Sequence, residues 1–248
     1  VLVRRDGDGA LAIGQLSHAW LAGQLAWAWG NARFGSVEPR EEVALGAQQH
    51  DIGWAQFDLQ PRFNPDTGLP QNFLDLTVEE HLAIWRDAPD RLMSQSTYAA
   101  LVVSLHSSSL SELRAHNTPE HAIDLKPHID EEHARQAQLC AALNVSEAQK
   151  ERTQRQMWAW DALSLALCNA WRPFTIGDVP TADGLTSIEL TDRKNGTSTL
   201  DPWPFNSNQV EVQCEAKRLA RSYKDEESVR QAFAQAVPVK LNFMLVPS

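Results

Sequence analysis

Asp161 is the residue that most limits how this chain can fold. From Ser146 to Trp171 the sequence reads as one long helix, and along it Trp158, Asp161, Leu165 and Cys168 recur every three or four positions. Residues at that spacing share a helix face, so a carboxylate stands inside an apolar stripe. Left unpaired and buried, such a group is costly by several kcal/mol. Its own helix offers no relief, because the positions three and four away are Met157, Trp158, Ser164 and Leu165. The fold must therefore bring partners to Asp161 from elsewhere in the chain.

Three other stretches with helical periodicity carry candidate partners. From Leu16 the apolar residues Leu21, Ala22, Leu25, Ala28 and Trp29 mark a helix closed by Gly30-Asn31, and His18 points into its apolar face. A second helix is predicted from Arg40 to Ile52, with Pro39 at its start and Gly53 suited to a left-handed cap. It ends on His50-Asp51, within Gln49-His50-Asp51-Ile52-Gly53-Trp54. A third runs from Gln95 to Leu110, where Ala99, Val102, Val103, His106 and Leu110 again set a histidine among apolar residues.

The remaining segments frame these helices. Pro61 to Pro70 holds three prolines and Gly68, which forbid regular structure and predict a loop, ordered beside the site or packed as a surface excursion. Thr77-Val78-Glu79-Glu80 and Ser146-Glu147-Ala148-Gln149 are capping boxes that open helices. Another helix is expected from Asp130 to Leu143, leaving His116, His121 and His128 in an exposed, proline-broken connection and His133 on a solvated face. Trp20, Trp27, Trp158 and Trp171 are expected in the core, Trp54 beside a pocket, and Asp58 as an exposed loop carboxylate.

Strand patterns occupy both ends. Val1–Arg5 and Ala10–Ile13 flank the turn Asp6-Gly7-Asp8-Gly9. After Phe174, Ser187–Thr191 and Val210–Gln213 alternate, and Lys194-Asn195-Gly196-Thr197 is a hairpin-turn signal. A short helix from Glu226 to Ala236 precedes a last strand carrying Val239, Leu241, Phe243 and Leu245. The expected fold class is mainly α: a helical core over residues 16–173 and a small antiparallel β-rich subdomain over 174–248, joined by strands from 1–15.

Composition limits the partners. A net charge of -10 argues against a nucleic-acid backbone as ligand. Three widely spaced cysteines indicate neither a disulfide framework nor a cysteine zinc site, which fits a reducing compartment. No stretch reads as a signal peptide or a membrane span, so a cytoplasmic protein acting on a small molecule is expected.

One divalent metal centre would answer His18, His50, Asp51, His106 and Asp161 together. Mixed imidazole and carboxylate donors suit manganese, iron, zinc, nickel or magnesium, as one ion or two. The order His, His-Asp, His, Asp along helices resembles the HD superfamily of metal-dependent phosphohydrolases, and the string His50-Asp51-Ile52-Gly53-Trp54 is similar to the HDIG form found in many members. Nearly the whole chain also resembles a bacterial family of uncharacterised proteins known as a domain of unknown function. The stretches QLSHAWLAGQLA, QQHDIGW, LVVSLH and WDALSLALC and the proline loop carry that likeness.

The HD resemblance implies an HD-like helical core in which His18, His50, Asp51 and Asp161 hold one metal, with His106 free for a second ion or the substrate. It implies hydrolysis of a phosphoester, possibly a nucleotide, with Asp51 and His106 as catalytic groups. Trp54 stands where many HD enzymes carry a phosphate-binding lysine, leaving Arg62 or Arg86 to meet a phosphate. The alternatives are an HD-fold diiron oxygenase and a metal- or ligand-binding module without turnover.

Overall fold

In the computed structural model, whose described residues are 1–193 and 196–248, half of the chain is helical and seven strands form one curled mixed sheet. This overturns the expected mainly α, all-helical core with a small antiparallel β subdomain: the architecture is α/β. The chain opens with β1 (Leu2–Asp6) and β2 (Gly9–Ile13), then α1 (Gln15–Ala28), α2 (Arg40–Gln48) and α3 (Ala55–Leu59). A two-stranded ribbon of β3 (Phe63–Asn64) and β4 (Leu69–Pro70) folds the proline loop back on itself. Four helices follow: α4 (Val78–Trp85), α5 (Thr97–Asn117), α6 (Ala122–Leu143) and α7 (Glu147–Asn169). The rest is β5 (Phe174–Pro180), β6 (Leu185–Asp192), β7 (Ser198–Asp201), β8 (Val210–Leu219), α8 (Glu226–Gln235) and β9 (Pro238–Pro247).

The sheet order is β1-β2-β8-β9-β7-β6-β5. Two long-range pairings make it one sheet. The N-terminal β2 pairs antiparallel with β8, and β9 runs parallel to β7. Neither can be read from local pattern, which is why a small separate subdomain was expected. The predicted Asn-Gly turn includes Lys194 and Asn195, which lie outside the described residues; the strands on either side, β6 and β7, pair antiparallel.

The sheet also positions α1. The β2 pairing with β8 ends at Ile13 and Ala216, so the edge of β8 beyond it needs other partners for its backbone groups. Side chains of α1 supply them. Ser17 Oγ donates to Glu215 O at 2.8 Å and accepts from Glu215 N at 2.7 Å, while Gln24 bonds Gln213 O and N at 2.8 and 3.0 Å. His18 is thereby fixed one residue from a strand-like contact.

The largest core cluster runs from Leu21, Leu25 and Trp29 through Trp160 and Leu167 to Ile188, Val212 and Leu245, so helices and sheet share it. A second cluster joins Trp54, Ile84, Trp85, Ala99 and Val103. Trp27 and Trp171 are exposed, contrary to expectation, and the tryptophans sealed inside are Trp29, Trp85 and Trp160. Helical spacing marks a face; it does not say which of two neighbouring faces the sheet will cover.

Several boundaries move. The second helix stops at Gln48, and α5 and α6 both extend into the segment expected as a connection, α6 tolerating Pro127 near its start. His128 is therefore buried rather than exposed and bonds Ser107 Oγ at 2.9 Å across the α5–α6 seam, where Gln136 also bonds Ser108 Oγ at 3.0 Å. His133 is exposed and pairs with Glu112 at 2.8 Å. No described helix is long and apolar enough to cross a membrane.

Helix α2 is clamped between two neighbours by glycines. A Cβ at Gly46 would meet Val102 Cβ on α5 at 2.5 Å, and one at Gly23 on α1 would meet Gln48 Cβ at 2.6 Å. Gly46→Ala should therefore destabilise the protein by about 1–3 kcal/mol through overpacking, measured by urea unfolding. An unchanged midpoint would contradict this close packing.

Candidate metal centre

Four elements deliver the five predicted donors to one place. His18 comes from the buried face of α1, His106 from α5 and Asp161 from α7. His50 and Asp51 stand in the turn between α2 and a short 3-10 segment, Ile52–Trp54, and not on a helix as expected. That turn lets two adjacent side chains converge, which a continuous helix opposes by rotating them roughly 100° apart. Gly53 does not take a left-handed cap; it is required because a Cβ there would collide with the carbonyl oxygen of Ile84.

All five side chains are buried. His18, His50 and Asp51 form one group whose donor atoms lie within 4.8 Å of one another, and His50, His106 and Asp161 form a second. Both could hold a metal ion. His50 Nε2 is 3.6 Å from Asp51 Oδ2 and 3.3 Å from Asp161 Oδ1. His18 Nε2 lies 2.6 Å from Asp51 Oδ2.

The surrounding hydrogen bonds fix which ring atoms face the carboxylates. His50 Nδ1 sits 2.8 Å from Ala47 O, a carbonyl that can only accept, so Nδ1 carries a proton and Nε2 faces the carboxylates. Ser164 Oγ donates its one proton to Asp161 O at 2.8 Å and so accepts from His18 Nδ1 at 2.9 Å. In a neutral His18 the atom facing Asp51 is then also a lone pair. Two lone-pair atoms at that separation require a proton or a cation.

The unpartnered atoms point the same way. Among the described residues His106 Nδ1 is buried without a partner, and His50 Nε2 and Asp161 Oδ1, 3.3 Å apart, have only each other and no hydrogen bond of good geometry. Buried polar atoms are rarely left so; an ion bound between His50 Nε2 and Asp161 Oδ1 would satisfy those two and leave His106 Nδ1 for a proton or a ligand.

Electrostatics separate the histidines. Burial pushes His50 down, but the Asp51 and Asp161 carboxylates outweigh it and hold His50 up at about 9. Burial, then the charge of His50, brings His106 down to about 4. Asp161 is held well below the usual carboxylate range, the opposing effect of burial being overcome by His50. Without an ion, the site at neutral pH therefore keeps a proton on His50 and none on Asp161, with His106 neutral.

The centre opens into a cavity of about 360 Å³. Trp54, Phe73, Trp85 and Leu165 are among its walls. Trp54 lines it as expected from its place beside Asp51. Arg62 lies elsewhere: its guanidinium pairs with Glu80 and borders a smaller neighbouring cavity. Sequence reasoning missed Arg114 and His81, which line the main cavity. Arg114 was visible as eight positions after His106 on a continuing helix, a signal lost when that helix was ended at Leu110. Asp58, expected to be exposed, instead accepts from Leu16 N at 3.1 Å and caps α1.

Two outcomes follow. Manganese or zinc should bind stoichiometrically by calorimetry, and Asp161→Asn or His50→Gln should weaken binding at least about 100-fold, in line with loss of a direct ligand. The second concerns His81, which bonds Ser111 Oγ at 2.8 Å and is brought down to about 3 by burial and then Arg114. Its folded value lies below its unfolded one, so the stability it contributes is complete above about pH 6.5 and is lost as pH falls. The stability of His81→Gln should fall less steeply than wild type between about pH 6 and 4, by roughly 1 kcal/mol per pH unit in urea titrations.

Comparison with known proteins places the chain in a family. The family model described as Protein of unknown function (DUF3891) matches residues 1–221, from β1 through β8. Neither the curated proteins nor the solved structures returned a match. With most of its length matched, including all five donor residues, the chain belongs to the DUF3891 family.

Proposed function

We propose that this protein is a metal-dependent hydrolase acting on a phosphoester. The observation that carries the reading is the shared position of His50. Its Nε2 belongs to both potential metal groups, and its Nδ1 is engaged by Ala47 O. A ring nitrogen has one lone pair and serves one ion, so His50 ties the two groups into one centre. His18, His50, Asp51 and Asp161 would hold that ion, manganese, iron, zinc, nickel or magnesium by donor type.

When bound, the ion supplies Lewis acidity and a water acidic enough to ionise near neutral pH. Asp51 would orient that water from the metal side. His106, neutral at pH 7 and with Nδ1 unpartnered, can give or take a proton at that atom. Trp54 and Trp85 shield the centre from bulk water, which strengthens each of these interactions. The phosphoester assignment is supported by the donor order His, His-Asp, His, Asp and its resemblance to HD phosphohydrolases.

Manganese-loaded protein assayed on a panel of phosphomonoesters, phosphodiesters and nucleotides should turn over at least one. His106→Gln should keep the metal and lose about 100-fold or more in kcat. A metal-loaded protein that binds some of these compounds and hydrolyses none would be a binding module, and oxygen consumption by the iron form would make it an oxygenase.

A further inference from the structure

The cavity has two chemically different ends. One face of α5 runs along it, because His106, Leu110, Leu113, Arg114 and Asn117 recur at helical spacing and all line it. Opposite stands α4, where Trp85 meets the His106 ring at 5.4 Å between centroids and His81 follows 6.3 Å further on. Eight residues separate His106 from Arg114. At about 1.5 Å per residue their Cα atoms are roughly 12 Å apart along the helix.

Arg114 marks the far end. It donates to Leu76 O at 2.6 Å through Nη2 and forms no ion pair among the described residues, Glu79 acting on it only from farther away. Partial burial pulls its guanidinium below the ordinary arginine value, as for a cation short of a counter-charge. Between the two ends the walls include Leu76, Leu110, Leu113 and Trp85, with His81 engaged by Ser111, while the other polar side chains stand toward the ends: Gln15 one turn before His18 on α1, and Asn117 and Thr118 just after Arg114. Leu74 and Leu113, both exposed, carry this apolar character out to the mouth.

We infer that the ligand of this cavity is an elongated molecule with two polar ends: a phosphorylated end at the metal centre, an apolar middle, and an anionic oxygen group held by Arg114. The phosphorylated end rests on the function proposed above; the far end and the middle rest on the cavity alone. Arginine's planar fork suits a carboxylate or phosphate, and the leucine-lined middle suits an alkyl or aromatic spacer. A nucleoside monophosphate would set its ribose hydroxyls against leucines and leave them without partners.

Phosphonates act as a ruler, because their carbon–phosphorus bond resists hydrolysis. Calorimetric binding of phosphonopropionate, phosphonohexanoate, phosphonoundecanoate and hexylphosphonate to the manganese-loaded protein should favour phosphonohexanoate at least about tenfold over the shorter acid and over hexylphosphonate, a typical return for one charge-assisted contact. Arg114→Gln should erase that preference while leaving hexylphosphonate binding unchanged, and Arg114→Lys should keep most of it. Adenosine monophosphate should bind more weakly than phosphonohexanoate. Equal binding of phosphonohexanoate and hexylphosphonate, equal weakening of both by Arg114→Gln, tighter nucleotide binding or no phosphonate binding would each overturn the inference. Absence of phosphoester turnover alongside the expected ruler would count against the hydrolase reading alone. If no metal loads, octanoate binding that is lost in Arg114→Gln still reads the far end.

Discussion

Two buried carboxylates, Asp51 and Asp161, face each other across three imidazoles, and neither forms an ion pair with a lysine or arginine among the described residues. Charges taken out of water must be neutralised where they stand. That requirement ties four distant parts of the chain to one point. The packing around it is arranged to meet it: α1 is locked to the sheet edge through Ser17 and Gln24, α2 is pressed between α1 and α5 through Gly23 and Gly46, and α7 is anchored through Ser164.

The same burial gives the donors different characters. His50, between both carboxylates, keeps a proton to high pH, while His106, beside His50 and against Trp85, stays neutral. At neutral pH the proton of His50 thus stands beside an ionised Asp161 and a neutral His106. The apolar walls of Trp54 and Trp85 make each of these differences larger than it would be in water. Site chemistry and core packing are thus one arrangement here.

Legibility varied with the range of the interaction. His18, His106 and Asp161 could be found because helical spacing marks an inward face, and Asp51 because it adjoins His50 before a glycine. His128 was misread since its partner, Ser107, lies across a helix pair whose length Pro127 disguised. Asp58 was misread because capping α1 takes a contact over 42 residues of chain. Trp27 and Trp171 share periodicity with core residues, yet the sheet covers the neighbouring face.

By itself, the sequence determined the inward helix faces that carry His18, His106 and Asp161, since the 3.6-residue period is a local property of the backbone. Only the tertiary structure decided that β2 joins β8, that β9 runs parallel to β7, and that a full sheet rather than a small subdomain backs the helices. It also decided that Arg114 faces the cavity while Arg62 turns to Glu80. Those outcomes depend on pairings between distant segments, which no local spacing encodes.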